Sequence, residues 1–179
     1  MPHVSEAATH QLERLIREIP DFPKPGIVFK DITPLLADAA GLALAVELMA
    51  NPFRKSRVDL VVGAESRGFI FGTALAQSLN AGFVPVRKHG KLPHTRMART
   101  YALEYGNDTL EMHADALHGD HRVLMVDDLL ATGGTMKACC DLVSDLGGQI
   151  IGISVLIELT FLSGRQRLAP YEVSAVLKY

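Results

Sequence analysis

Short apolar runs and stretches of helical spacing alternate along most of this chain. The apolar runs are typical of parallel strands buried on both faces, and they cover residues 58–62, 83–87, 123–126 and 150–157. Apolar positions at helical spacing lie between these runs, over residues 38–53, 67–79 and 136–146. Because strand and helix alternate, we predict an α/β fold in which a parallel, twisted sheet is flanked by crossover helices.

The N-terminal part of the chain departs from this alternation, and we expect it to form a small appendage. Four apolar residues there have helical spacing: Leu12, Leu15, Ile16 and Ile19. Pro20 begins a stretch rich in proline and glycine, so we expect the helix to end before this residue. We therefore divide the chain into an N-terminal hood, residues 1–34, and a core, residues 35–179.

A second departure lies within the core, at residues 88–113. This stretch lacks a core pattern, and its two alternating pieces around Gly106-Asn107-Asp108 predict a long hairpin. Excursions of this length are usually functional lids or disordered segments. Beside a ligand site we favour a flexible lid, which would close over the reacting groups and exclude water.

Residues 123–135 join an apolar strand, two acids and a Gly/Thr turn in the order VLMVDDLLATGGT. Asp127 and Asp128 stand at the predicted carboxyl end of the strand, where open α/β sheets bind ligands. Their carboxylates can accept hydrogen bonds from vicinal hydroxyls or face a hydrated Mg²⁺. The turn precedes a helix and offers N–H groups to a phosphate, through Ala131, Thr132, Gly133, Gly134 and Thr135. Since it lacks both a Walker lysine and Rossmann spacing, the segment predicts another kind of site, for a phosphorylated sugar.

A second anion-binding candidate, GAESRG at residues 63–68, opens the helix that follows the first core strand. Its N–H groups and the Arg67 guanidinium could bind pyrophosphate by charge-assisted hydrogen bonds. Alternatively, Glu65 and Ser66 are a helix cap and Arg67 a surface residue. Lys88 and Lys91 follow the next strand, and Arg87 ends it. These three cations could neutralise pyrophosphate or remain solvated surface groups.

These segments resemble those of the type I phosphoribosyltransferases. DDLLATGGT is similar to the motif with which the adenine-specific members of that family bind phosphoribosyl pyrophosphate (PRPP). Four other segments resemble that family in its order: PDFPKPGIVFKDITP at 20–34, ESRGFIFG at 65–72, RKHGKLP at 87–93 and YALEYG at 101–106. The resemblance covers almost the whole chain. It implies the type I phosphoribosyltransferase fold and transfer of the 5-phosphoribosyl group from PRPP to N9 of adenine, giving AMP and pyrophosphate in purine salvage.

The resemblance also implies roles for the phosphosugar residues. Asp127 and Asp128 would fix the ribose hydroxyls and the charge near C1, and the turn at 131–135 would hold the 5′-phosphate. The loop that carries Glu65, Ser66 and Arg67 would hold pyrophosphate together with Lys88, and the family loop commonly contains a non-proline cis peptide. Arg87 would act either in its own subunit or across a dimer interface.

For the base, the resemblance implies that Phe29 stacks on the purine while the backbone of Val28 and Lys30 reads the exocyclic amine. The family often has arginine where this chain has Lys30, which weakens any expectation of a stacked guanidinium. Glu104, in the lid, would stabilise charge on the ribosyl ring or handle a proton on the purine. Tyr105 would donate a hydrogen bond nearby or pack on the core.

Composition and residue spacing limit the binding partners, the metal sites and the cellular location that we expect for this protein. A formal charge of −2 offers no general attraction to nucleic acid or to an anionic membrane. No apolar run approaches the roughly 20 residues of a membrane span, so we expect a cytoplasmic protein. The adjacent Cys139 and Cys140 are expected to be buried structural thiols. The histidine spacing predicts no transition-metal site, so we expect Mg²⁺ to arrive with PRPP. A homodimer is implied by the resemblance.

Two alternative functions remain open at this point. A phosphoribosyltransferase for hypoxanthine, guanine or xanthine would share the sugar site and differ in base recognition. A non-catalytic regulator would use the same fold to sense PRPP, but it would need a basic surface for nucleic acid and would not need Glu104.

Overall fold

The computed structural model describes residues 6–102 and 107–179, and of Ala102 only the backbone. The strands are β1 Arg17–Pro20, β2 Val28–Asp31, β3 Leu60–Ala64, β4 Gly82–Lys88, β5 Arg96–Ala102, β6 Asn107–His113, β7 Arg122–Leu130, β8 Gln149–Glu158 and β9 Val173–Lys178. The α-helices are α1 Glu6–Glu13, α2 Thr33–Ala37, α3 Ala39–Ala50, α4 Gly68–Ser78 and α5 Gly134–Asp145. Short 3₁₀ turns cover Asn51–Phe53, Thr160–Leu162 and Gly164–Leu168. In this described part, no helix is both long and apolar enough to cross a membrane.

Seven strands form one sheet in the order β5-β6-β4-β3-β7-β8-β9. The five strands from β4 to β9 in that order are parallel, and β6 and β5 add an antiparallel edge. The predicted parallel sheet flanked by helices is therefore confirmed. Two parts of it were not predicted from the sequence, namely the edge strand β9 and the short helix α2.

The helices pack on both faces of this sheet and create two apolar clusters. Val123 and Met125 of β7 face the cluster that contains α5, whereas Leu124 and Val126 face the cluster that contains α3 and α4. All four side chains are fully buried. This burial explains why β7 reads as a continuous apolar run instead of an alternating one.

The hood is a separate two-stranded antiparallel sheet, in which Ile19 of β1 pairs with Phe29 of β2. The predicted helix through Ile19 is wrong, because α1 already ends at Glu13. Leu12 and Ile16 still reach the core, but the chain then extends and β1 satisfies its backbone groups by pairing with β2. The Asp21 carboxylate closes the intervening turn by accepting a hydrogen bond from Gly26 N–H at 2.7 Å.

The predicted hairpin is present, and its strands pair from Arg96↔His113 to Ala102↔Asn107. It is not an excursion from the core, however, since β6 also pairs with β4 and buries Leu110 and Met112. Residues 103–106, between the two strands, lie outside the described residues. The flexibility of the lid stays a prediction, as does the boundary between hood and core at residue 34.

Candidate active site

A cleft opens where β3 and β7 stop pairing, at Gly63↔Val126. Beyond that pair, α4 follows β3 onto one face of the sheet and α5 follows β7 onto the other. Such a switch point leaves a crevice at the carboxyl ends of the strands. Both helices begin at the crevice, so the positive ends of their dipoles border it and favour anions. At α4 the first three N–H groups are already bonded to Ser66 and Arg67, so this end acts through its dipole.

Asp127 lies between these two helix ends, and glycine makes its position possible. Its Oδ1 accepts hydrogen bonds from Ser66 Oγ at 3.0 Å and from Asp128 N–H at 2.9 Å. Ser66 Oγ in turn accepts from the N–H of Gly68, the first residue of α4, at 2.9 Å. A Cβ at position 68 would lie 2.4 Å from Asp127 Oδ1, so only glycine allows α4 to approach β7 this closely.

The environment of Asp127 favours its protonated form. Burial raises the pKa of its carboxyl to about 8, and the neighbouring Asp128 carboxylate acts in the same direction. The residue is 8% exposed. At neutral pH the pair of Asp127 and Asp128 therefore favours retention of a proton that ordinary aspartates would have lost.

Asp128 faces Arg67 across the cleft. Its Oδ2 lies 2.8 Å from Arg67 Nε, which is an ion-pair distance. The N–H is not aligned for a hydrogen bond, and this buried oxygen has no hydrogen-bond partner among the described residues. Buried acceptors are rarely left without a donor. Asp128 Oδ2 is therefore available to a ligand hydroxyl.

The hood brings an apolar surface to the same cleft. The Arg67 guanidinium carbon lies 5.2 Å from the centre of the Phe29 ring, and Phe22 meets that ring edge-on at a centroid distance of 5.2 Å. Val28 is half exposed beside them. A planar apolar ligand could pack against this surface next to the acidic pair. The Lys30 ammonium is instead paired with Glu18 and lies 3.7 Å from the Tyr179 ring centre.

The turn before α5 encloses a pocket of about 100 Å³. Its lining contains no lysine or arginine among the described residues, and comprises Asp127, Leu129, Leu130, Ala131, Thr132, Gly133, Gly134, Thr135 and Met136. Gly133 has a φ of 80°, in the left-handed region that favours glycine. An anion here would be held by main-chain N–H groups, threonine hydroxyls and the dipole of α5.

Glu65 organises the basic end of β4 instead of facing the cleft as a free carboxylate. Its Oε2 accepts hydrogen bonds from Arg87 Nε at 3.0 Å and from Lys88 N–H at 2.9 Å. Arg87 and then Lys88 lower the pKa of Glu65 through these bonds. Arg87 is thus neutralised within its own chain, while the side chains of Lys88 and Lys91 remain exposed.

Glu111 was missed by sequence reasoning, although it anchors the loop that carries Lys91. This buried carboxylate accepts from Gly90 N–H at 3.0 Å and Arg96 Nε at 3.0 Å, and it lies 2.7 Å from His89 Nδ1. Burial acts to raise its pKa, but these partners together lower it. The alternating hairpin pattern alone could not reveal that this position faces inward.

The cleft thus collects most of the predicted site residues. Asp127, Asp128, Ser66, Arg67 and the turn at 131–135 surround it, and Phe29 borders it. Glu104 and Tyr105 lie outside the described residues. Both cis peptides in the described part precede proline, at Pro23 and Pro170, so the cis peptide suggested near Glu65 is not observed.

Comparison with known proteins agrees with this geometry. The sequence model of the phosphoribosyl transferase domain family matches residues 31–174. An adenine phosphoribosyltransferase of Koribacter versatilis is 55% identical over 94% of this chain and 92% of its own length.

Two solved structures share the fold over almost their whole length. The crystal structure of adenine phosphoribosyltransferase from Rhodothermus marinus has a TM-score of 0.92 at 52% identity, covering 98% of this chain and 100% of its own. That of the Saccharomyces cerevisiae enzyme, complexed with an imino-altritol bisphosphate and adenine, has a TM-score of 0.91 at 35% identity, covering 97% and 100%. The chain therefore belongs to the phosphoribosyltransferase family, among the adenine phosphoribosyltransferases.

Proposed function

We propose that this protein transfers the 5-phosphoribosyl group from PRPP to N9 of adenine, forming AMP and pyrophosphate in purine salvage. The observation that carries the proposal is the cleft itself, where an acidic pair stands between two helix N-termini. PRPP has a phosphate at one end, a pyrophosphate at the other and two ribose hydroxyls between them. The two anion sites and the free acceptor of Asp128 match that order of groups.

We propose that each group of PRPP meets a distinct part of the cleft. The turn at 131–135 holds the 5′-phosphate, while the N-terminus of α4 with Arg67, Lys88 and Lys91 holds pyrophosphate. Asp128 Oδ2 accepts a hydrogen bond from a ribose hydroxyl. Catalysis then consists mainly of positioning and of electrostatic stabilisation of the ribosyl group as pyrophosphate departs.

The proton on Asp127 matters for binding an anion of such high charge. Two ionised carboxylates beside the pyrophosphate would repel it, and their burial weakens the screening of that repulsion by solvent. A neutral Asp127 removes one of these charges and can donate a hydrogen bond to a substrate oxygen through Oδ2. The pair thus combines a donor with an acceptor at neighbouring positions.

Adenine is the proposed base because the hood presents Phe29, flanked by Phe22 and Arg67, beside the sugar site. The yeast relative of similar fold was crystallised with adenine, and the curated relatives carry adenine-specific names. The alternatives with hypoxanthine, guanine or xanthine are not favoured by these comparisons. Glu104 and Tyr105 keep their predicted roles at the lid, with Glu104 acting on the purine proton or on ribosyl charge.

We also propose that Mg²⁺ enters with PRPP. The described residues hold no cluster of three His, Cys, Asp or Glu side chains suited to a metal. The ionised carboxylate of Asp128 fits a hydrated Mg²⁺ that is carried mainly on substrate oxygens. When bound, the ion neutralises charge on the departing pyrophosphate. A homodimer is a further proposal from the family resemblance, and light scattering after gel filtration tests it. A cytoplasmic location stays a prediction from the sequence.

The decisive experiment offers PRPP, Mg²⁺ and one purine base at a time and follows nucleotide and pyrophosphate. We expect AMP with adenine and little product with hypoxanthine, guanine or xanthine. Preference for another base would assign the protein to that base, and PRPP binding without turnover would favour a regulator.

A pair of variants tests the role of the acidic residue. Asp128→Ala should lower kcat by about 10²-fold or more, the usual effect of removing one preorganised electrostatic group. Asp120→Ala, at an exposed position away from the cleft, is the matched control and should retain full activity. Near-normal turnover of Asp128→Ala at saturating PRPP would show that the assigned role is wrong.

A further inference from the structure

The segment that follows β8 returns across the proposed 5′-phosphate turn and touches it backbone to backbone. Ser163 has a φ of 53°, and the buried Gly164 begins the last 3₁₀ turn. A Cβ at Gly164 would lie 2.1 Å from the carbonyl oxygen of Ala131 and 3.0 Å from the nitrogen of Gly133. A Cβ at Gly133 would reciprocally lie 2.6 Å from the carbonyl oxygen of Gly164. Neither position has room for any side chain.

An ion pair between the partly exposed Arg165 and the buried Glu158 supports the position of this contact. Arg165 lies next to Gly164, and its Nε and Nη2 donate to the two carboxylate oxygens of Glu158 at 2.9 and 2.5 Å. Its Nη1 also donates to the carbonyl of Val173, at the start of β9, at 2.5 Å. Arg165 is the main cause of a lowered pKa at Glu158, which is 5% exposed. The bidentate geometry restricts the placement of the segment.

The ion pair and the turn are both attached to the paired ends of β7 and β8. Glu158 ends β8 and is the register partner of Leu130, the last residue of β7. The turn at 131–135 starts at the next residue. The segment with Gly164 is therefore held by the same strand pair from which the turn departs, and the two can move little relative to each other.

We infer that Gly164 is a positioning residue for the 5′-phosphate of PRPP, an inference that rests on the proposed function. It does not touch substrate. It acts through Ala131 and Gly133, whose backbone it holds from behind so that the N–H groups of the turn face the phosphate. The pyrophosphate side of the cleft, at α4 and β4, does not depend on it.

The experiment measures the two halves of the site separately. Ribose 5-phosphate probes the turn at 131–135, pyrophosphate probes the other loop, and neither measurement requires turnover. In Gly164→Ala the turn must shift, so ribose 5-phosphate should bind about tenfold more weakly or worse. The KM for PRPP should rise similarly, whereas pyrophosphate affinity and the KM for adenine should stay within about twofold.

Gly119→Ala is the matched control, because the nearest heavy atom to its new Cβ is 4.0 Å away, at Gly147. It should behave as the unaltered protein. If Gly164→Ala does not fold, Arg165→Gln tests the inference in its place. This substitution weakens the ion pair with Glu158 without adding an atom where Gly164 meets the turn. A selective loss of ribose 5-phosphate in that variant supports the inference.

The inference is overturned if a folded Gly164→Ala protein binds ribose 5-phosphate as the unaltered protein does. If Gly164→Ala does not fold, the same result in Arg165→Gln overturns it. Equal loss of both anions also overturns it, because that pattern marks a general structural role. Failure of the proposed function looks different: the unaltered protein would then make no nucleotide with any base, whatever the two anions do.

Discussion

Replacement of Asp127 by asparagine should change how stability depends on pH. The asparagine side chain keeps the oxygen that accepts from Ser66 and from the next N–H, and it places an NH₂ group where the carboxylic acid has its hydroxyl. Since Asp127 is protonated in the folded protein below pH 8, the two side chains are then nearly equivalent. The difference between them arises only in the pH range where the unfolded chain loses this proton and the folded one retains it.

The direction and size of this pH dependence follow from the linkage between proton binding and folding. The unfolded carboxyl titrates near pH 3.9 and the folded one at about 8, so the folded state binds the extra proton between these values. The stability contributed by this proton is complete below about pH 4 and is lost as pH rises through 8. One proton corresponds to ~1.4 kcal/mol per pH unit, which sets a ceiling of ~4 kcal/mol between pH 5 and 8.

Urea unfolding at a series of pH values, followed by circular dichroism at fixed protein concentration, measures this effect. The unaltered protein should lose stability from pH 5 to 8, and Asp127→Asn should remove most of that slope. Asp59→Asn is the control, because hydrogen bonds from Arg122 and Arg57 lower the pKa of Asp59. Its contribution is lost only in acid, so its slope from pH 5 to 8 should match the unaltered protein. Equal slopes in all three proteins would refute the reasoning.

Three further outcomes are expected. Gly68→Ala should lower kcat/KM for PRPP about tenfold by pushing α4 away from Asp127, and an unchanged value would contradict that contact. Ser154→Ala should cost about 1 kcal/mol in urea unfolding, since it leaves a buried carbonyl of α3 without its donor. Burial raises the pKa of Cys139, and that of Cys140 to about 12, so neither thiol should react with a disulfide reagent at pH 8. Absorbance should report two thiols only after unfolding, and earlier reaction would count against their burial.

The central part of the fold could be predicted because its signals are local. The run before Asp127 is apolar at every position since both faces of β7 are covered, and periodicity detects that directly. The turn at 131–135 could be found for a related reason. A glycine pair and two threonines before a helix produce an anion site from backbone geometry alone, without distant partners.

Long-range pairing explains what the sequence concealed. Ile19 continues the helical spacing of Leu12 and Ile16, but its strand is stabilised by pairing with Phe29. No local sequence pattern indicates this pairing. Likewise, nothing in the local sequence distinguishes Gly164 from the other glycines, because its contact with Ala131 forms only in the folded chain. Tertiary contacts override local preference at such positions, and these contacts lie at or beside the proposed site.

The two-stranded sheet of the hood has an evolutionary consequence. It shares no strand with the main sheet, so the surface beside Phe29 can be rebuilt without shifting the register of β3 or β7. Relatives that accept another base could therefore arise by exchange of this short segment while the sugar and phosphate sites persist. A chimera that carries the hood of a differently selective relative would inherit that relative's base preference and keep this chain's affinity for ribose 5-phosphate.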